Sequence, residues 1–184
     1  WILSVAILHS WCVTMSRWKQ KVSDVYYPER PEEPVSLSSV DIDSLRVAGQ
    51  ISESGKARYC AHSAEQSPVH EMFIYHSAGT VIAPHKSSQG SESYLVLEGG
   101  LQLIFYSDEG EPQEVLRLGE YLCGLDFFYR MPSPRFRGIV IIEDTLFLET
   151  KEGPFTPDRV IWATWNDKNS LLERVLKDSN SGGS

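Results

Sequence analysis

His85 and Glu92 are the residues in this chain best placed to do chemistry. They flank a polar loop between two short apolar runs, Thr80–Pro84 and Ser93–Glu98, with His85 where the loop starts and Glu92 where it ends. That spacing across a turn lets an imidazole and a carboxylate converge on one point, as ligands do in β-barrel metal sites. His62 is a further imidazole upstream, and Cys60, two residues before it, would share its face of a strand. Two His and one carboxylate suit a facial Fe(II) site or a three-ligand zinc site with an open position. A Cys60 thiolate as fourth ligand would favour zinc.

Arg137 argues the other way. A guanidinium near the same centre opposes a dication and pairs with Glu92, leaving a metal-free site for a small anionic or hydroxylated ligand. Each residue also has a plainer reading. His85 could be a loop His bonded to backbone, His62 a hydrogen-bonded strand His, and Glu92 one half of an ordinary ion pair. Arg137 could be a solvated surface Arg and Cys60 a small buried hydrophobe. His70 and His76 have no partner pattern and are expected at the surface. Tyr94, Tyr106, Tyr121, Phe127 and Phe136 stand at strand spacing and are expected mostly in the core.

The elements that must position these side chains are strands. Alternation with β-branched and aromatic residues marks Val69–Tyr75, Thr80–Pro84, Ser93–Glu98, Leu101–Tyr106, Glu114–Leu118, Tyr121–Leu122, Phe127–Met131, Arg137–Ile142 and Leu146–Lys151. The breaks carry turn chemistry: Gly99-Gly100, Asp108-Glu-Gly110, Gly119, Pro132-Ser-Pro134 and Glu143-Asp144. Short strands at near-regular spacing without interleaved helices predict a single all-β domain over 37–158, an antiparallel jelly-roll sandwich. One helix is expected over Val40–Gly49, capped by Ser39 or Asp41 and stopped by Gly49. Ser16–Ser36, broken by Pro28, Pro31 and Pro34, reads as a polar arm outside the fold. Residues 159–184 read as an aromatic cover segment, a short helix over Asn169–Leu176 and a flexible tail from Ser179. There is no internal repeat.

Composition narrows the function classes. The chain has 184 residues and a net charge of −8, with both signs interspersed and no basic patch. Nucleic-acid binding and attraction to anionic membranes are therefore not expected. Cys12, Cys60 and Cys123 show no paired spacing, which fits reduced thiols in a cytoplasmic protein. The apolar run over residues 1–14 is shorter than a membrane span and lacks preceding basic residues. We expect Met15 to be the true or an alternative start and residues 1–14 to be upstream translation, with a short signal-anchor as the alternative.

Several motifs resemble a known family. Gly79, His85, Glu92 and Gly99 fit every spacing of the first signature of the cupin superfamily, with Ser87 at the position of its second His. The run from Arg58 to Trp165 resembles the cupin-fold metalloproteins of the WbuC family, small proteins often associated with bacterial surface-polysaccharide gene sets. The resemblance is carried by Arg58-x-Cys60-x-His62 followed by Pro68-Val69, by Pro84-His85 with Glu92, and by Gly99, Phe105 and Asp108-Glu-Gly110. Glu149-Thr-Lys-Glu-Gly-Pro-Phe155 and Ala163-Thr-Trp165 complete it. It implies a jelly roll with a metal centre in the barrel mouth. Two departures fall on the ligands: Ser87 replaces one His, and Arg137 stands where the second cupin motif brings another.

Three functions follow. One is a cupin metalloprotein acting on a sugar or other small polar molecule, with His62, His85 and Glu92 holding Fe, Zn, Mn or Ni, and with Cys60, Ser87 and Arg137 about the ligand. Another is a metal-free binding module in which Arg137 and Glu92 grip a small polar or anionic ligand. The third is a metal-independent nucleotide-sugar isomerase or epimerase with a His base and a Tyr acid. Edge strands and the aromatic end segment leave room for a homodimer.

Overall fold

Alternating apolar and polar residues dominate this chain, and a strand turns each alternation into one buried and one exposed face. In the computed structural model, which describes residues 17–88 and 90–165, twelve strands form two sheets. They are β1 Trp18–Val22, β2 Val25–Pro28, β3 Lys56–Cys60, β4 Val69–His76, β5 Val81–Ser87 and β6 Glu92–Glu98. The second half supplies β7 Gly100–Tyr106, β8 Pro112–Gly119, β9 Phe128–Met131, β10 Phe136–Ile141, β11 Thr145–Glu152 and β12 Val160–Trp162. One sheet runs β1-β2-β3-β4-β11-β6-β9 and the other β12-β5-β10-β7-β8. All pairs are antiparallel except β2 with β3. The inner faces close on a core that includes Met72, Val96, Leu103, Leu118, Ile139 and Phe147. The architecture is the expected jelly-roll sandwich.

The one α-helix among the described residues, α1 Ser39–Ile51, is longer than expected at both ends. Its cap is Ser38: the Ser38 hydroxyl accepts from the Asp41 backbone N–H, and the Asp41 carboxylate accepts from the Ser38 N–H, a reciprocal capping box. Gly49 does not stop the helix. It lets α1 approach the sheet, because a Cβ there would lie 2.2 Å from the Tyr75 ring. Leu45, Ile42 and Ala48 join Tyr59, Phe73 and Tyr75 on the sheet's outer face.

Two expectations fail. The arm placed outside the fold contains β1 and β2, which extend the seven-stranded sheet. Burial explains this: Trp18 is buried and stacks on Tyr59 with ring centroids 4.3 Å apart, while Val25 and Tyr27 pack on the core. The three prolines start only at the end of β2, so they bound the hairpin without interrupting it. Tyr121–Leu122 is a turn with both side chains exposed, and Phe127 is likewise surface. The expected helix over Asn169–Leu176, the tail and residues 1–14 lie outside the described residues. Of the C-terminal cover, Val160–Trp162 forms an edge strand and Trp165 packs on Tyr106 and Phe136.

Candidate functional site

The mouth of the sandwich is built by four strands. β6 contributes Glu92 and Tyr94, β11 contributes Glu149 and Lys151, β10 contributes Arg137 and β5 contributes His85. Register brings them together: Lys151 pairs with Glu92, Glu149 with Tyr94, and Arg137 with His85. His85 is not in a loop, because β5 runs on to Ser87 and the connection to β6 is short. Gly99, whose φ of +74° suits glycine, closes the β6–β7 turn that holds Glu92's strand in place.

The centre is an ion pair. Arg137 Nη2 donates to Glu92 Oε2 at 2.6 Å and lies 2.5 Å from Oε1, and both side chains are buried. Tyr129 donates its hydroxyl to Glu92 Oε1 at 2.7 Å, and Arg137 Nη2 also reaches the Tyr94 hydroxyl at 3.2 Å. Arg137 Nη1 points to the His85 backbone carbonyl at 3.4 Å, so the guanidinium bridges β5 and β6. Burial pushes the Glu92 carboxyl up and Arg137 opposes it. Burial works against the Arg137 charge too, but Tyr94 and Glu92 outweigh it and hold its proton firmly. With a guanidinium and a phenol donating to it, Glu92 is the anionic half of the pair.

Glu149 and His85 sit beside this pair with free polar atoms. Burial acts to raise the Glu149 carboxyl, yet Lys151 and then Arg137 bring it below its ordinary value, so it is ionised. Its ion-pair partner, Lys151 Nζ, is 3.7 Å away. His85 Nδ1 lies 2.8 Å from the Ala83 carbonyl, which can only accept, so the proton is on Nδ1 and the Nε2 lone pair is bare. Burial, and then Arg137, lower the His85 pKa to about 4, which keeps the ring neutral. These groups line a cavity of about 70 Å3, rimmed by Ser87, Lys151, Phe155 and Arg159. Liquid water occupies about 30 Å3 per molecule, so the cavity takes one small polar group. A hollow of about 770 Å3 lies elsewhere, between β1, β2 and the proline-rich chain, but its charges are exposed surface groups such as Arg30, paired to Glu33.

A metal does not fit this centre. Two donors, Arg137 Nη2 and the Tyr129 hydroxyl, already hold Glu92 through three contacts, and the buried guanidinium beside it repels a dication. Among the described residues, no three His, Cys, Asp or Glu side chains gather closely enough to hold an ion. His62 is drawn off to a separate cluster. Its ring stacks on His70 at 4.0 Å and meets Tyr27 edge-on at 5.5 Å, and its Nδ1 lies 3.2 Å from the Glu71 carbonyl oxygen and 3.3 Å from the Glu71 backbone nitrogen. Cys60 is a buried core residue whose thiol is pushed up by burial, which makes it a poor ligand. His70 and His76, expected at the surface, are buried, His76 on the Phe147 ring. Ser87 stands at the rim of the cavity. Glu149, Lys151 and Tyr129 escaped notice as site residues. The signal for two of them was present: Glu149 and Lys151 are charged residues alternating on the same strand face as the core residue Phe147.

Comparison with known proteins adds little beyond the fold. A family model described as a domain of unknown function, DUF6016, matches residues 37–118, less than half of the chain. No curated protein matches the chain. Among solved structures, protein SO0799 of Shewanella oneidensis is similar at 18% identity and a TM-score of 0.48, over 59% of this chain and 74% of that one. A cupin superfamily protein of Desulfitobacterium hafniense is similar at 12% identity and 0.42, over 53% and 76%. KdgF of a Halomonas species is similar at 22% and 0.42, over 58% and 84%. Such likenesses bear on no activity or ligand. By its own sheet order, the described part of the chain is an all-β jelly-roll sandwich.

Proposed function

We propose that this protein is a metal-independent binding module for a small hydroxylated ligand, held in the barrel mouth. The observation that carries the reading is the Arg137–Glu92 ion pair. It sets a fixed cation against Glu92, and it leaves the ionised Glu149 and the bare Nε2 of His85 as acceptors facing the cavity. Acceptors of that kind recognise hydroxyl donors, and Lys151 at the rim suits an anionic substituent on the same molecule. Arg137 itself is committed to Glu92 and shapes the site without gripping the ligand. The small cavity admits one end of a ligand, with the remainder outside. The motifs that resemble the WbuC family favour a carbohydrate over other hydroxylated molecules. The isomerase reading needs a free phenol as acid, but Tyr129 donates to Glu92 and Tyr94 faces Arg137.

The test is thermal shift of tag-free protein in EDTA against simple aldoses, polyols and hydroxy acids. At least one should raise the Tm, and Glu149→Gln and His85→Phe should abolish the shift. A panel without any shift, a shift that requires a divalent ion, or near-stoichiometric Fe, Zn, Mn or Ni in the purified protein would overturn the reading.

A further inference from the structure

The outer face of the seven-stranded sheet is only half covered. α1 lies over β3 and β4, where Leu45 and Ile42 meet Tyr59, Phe73 and Tyr75. On the same face an apolar cross-strand row runs on past the helix, Phe73–Leu148–Leu95–Phe128, over β4, β11, β6 and β9. Leu97 lies one pleat further along β6. Leu148 and Leu95 are half-buried, whereas Leu97 is 38% and Phe128 50% exposed.

The helix has the matching defect. At about 100° per residue, Val40, Val47 and Ile51 fall on the side opposite the buried Leu45–Gly49 stripe. They are 68%, 56% and 80% exposed. A surface helix normally shows polar residues there.

We propose that these two surfaces cover each other in a two-fold dimer of this chain. An isologous axis running between two facing sheets sets the helix-covered half of one copy against the open half of the other. Each α1 then buries Leu45 on its own sheet and the Val40–Val47–Ile51 stripe on the partner's, so one symmetry operation satisfies both defects. Charge agrees: Asp43, which pairs with Arg46 on its own helix and stays largely exposed, flanks the stripe, and exposed Arg130, which donates to the Ser91 hydroxyl, flanks Phe128 on the open half with no carboxylate partner among the described residues. A helix of this length covers roughly 20 by 10 Å, so two reciprocal helix–sheet contacts bury about 800 Å2 counting both partners. That is at the weak end of specific interfaces, and the expected dissociation constant is micromolar.

Sedimentation velocity of the full chain over roughly 1–200 μM should show a reversible monomer–dimer equilibrium. Val47→Asp and Phe128→Asp should each weaken it by at least about tenfold, and Ile161→Asp on the other sheet should not. Mixing the Val47→Asp and Phe128→Asp chains should restore part of the affinity, because one helix–sheet contact in the mixed dimer is intact. This outcome separates a lost contact from a lost fold. A full chain monomeric at 200 μM, whatever segment then covers the face, or a dimer indifferent to both substitutions, overturns the proposal.

Discussion

Arg137 and Glu92 form a buried ion pair, 2.6 Å from Nη2 to Oε2, between strands of opposite sheets at the mouth of the sandwich. Buried pairs cost desolvation to assemble, and breaking one leaves a charge without compensation. Arg137→Ala should therefore destabilise the protein by about 3–5 kcal/mol, measured by urea unfolding. The double variant Arg137→Met, Glu92→Gln should lose less than the sum of its singles. Additive losses would show that the two charges do not stabilise one another.

Stability should fall as the solution is acidified from pH 7 to pH 4. His62 and His85 are lowered to about 4 and His76 to about 3, in each case chiefly by burial. Between the unfolded value of 6.5 and these folded values the unfolded chain binds more protons, so stability rises with pH through that window. Each His contributes a slope of up to about 1.4 kcal/mol per pH unit. Glu92, raised by burial, acts in the opposite sense but is one group against three. Urea unfolding at several pH values checks the sign, and His76→Phe should flatten the slope. A pH-independent stability would mean that these rings are not buried as neutral species.

Gly153 shapes the mouth by what it lacks. A Cβ there would lie 1.9 Å from the Ser67 carbonyl oxygen and 2.7 Å from the His70 ring. Gly153→Ala should cost about 2 kcal/mol or more, as overpacked sites do. It should also displace the segment that carries Phe155 at the rim. An unchanged Tm would place the Ser67–His70 wall further away.

The β1–β2 hairpin should prove integral to the domain. Trp18→Ala removes a buried indole stacked on Tyr59 and should destabilise by about 3–5 kcal/mol in a single cooperative transition. A separate low-temperature transition would instead mark the hairpin as an independent arm.

Strand positions were legible from residues alone because the period-two pattern is local. Val69–Tyr75, Leu101–Tyr106 and Leu146–Lys151 are seen at or near their expected limits, and Asp108-Glu-Gly110 lies in the hairpin turn between β7 and β8. The β1–β2 hairpin was hidden because its apolar content is sparse and proline-rich chain follows it. Its burial comes from Tyr59 and the core, residues far along the sequence. His70 and His76 were misjudged for the same reason: a lone His on a strand carries no local sign of what packs on it.

The sandwich was legible from local pattern, and motif spacing offered His85, Glu92 and Arg137 as candidates for its mouth. Alternation and turn residues are properties of neighbouring positions, so they survive without tertiary information. Which side chains meet depends on packing between distant residues. Packing of the two sheets set Arg137 on Glu92, and the register of β11 on β6 brought Glu149 beside them, while stacking on His70 held His62 elsewhere. Those choices depend on Coulombic and packing energies between residues tens of positions apart, and they turned a set of metal-ligand types into an ion-paired pocket.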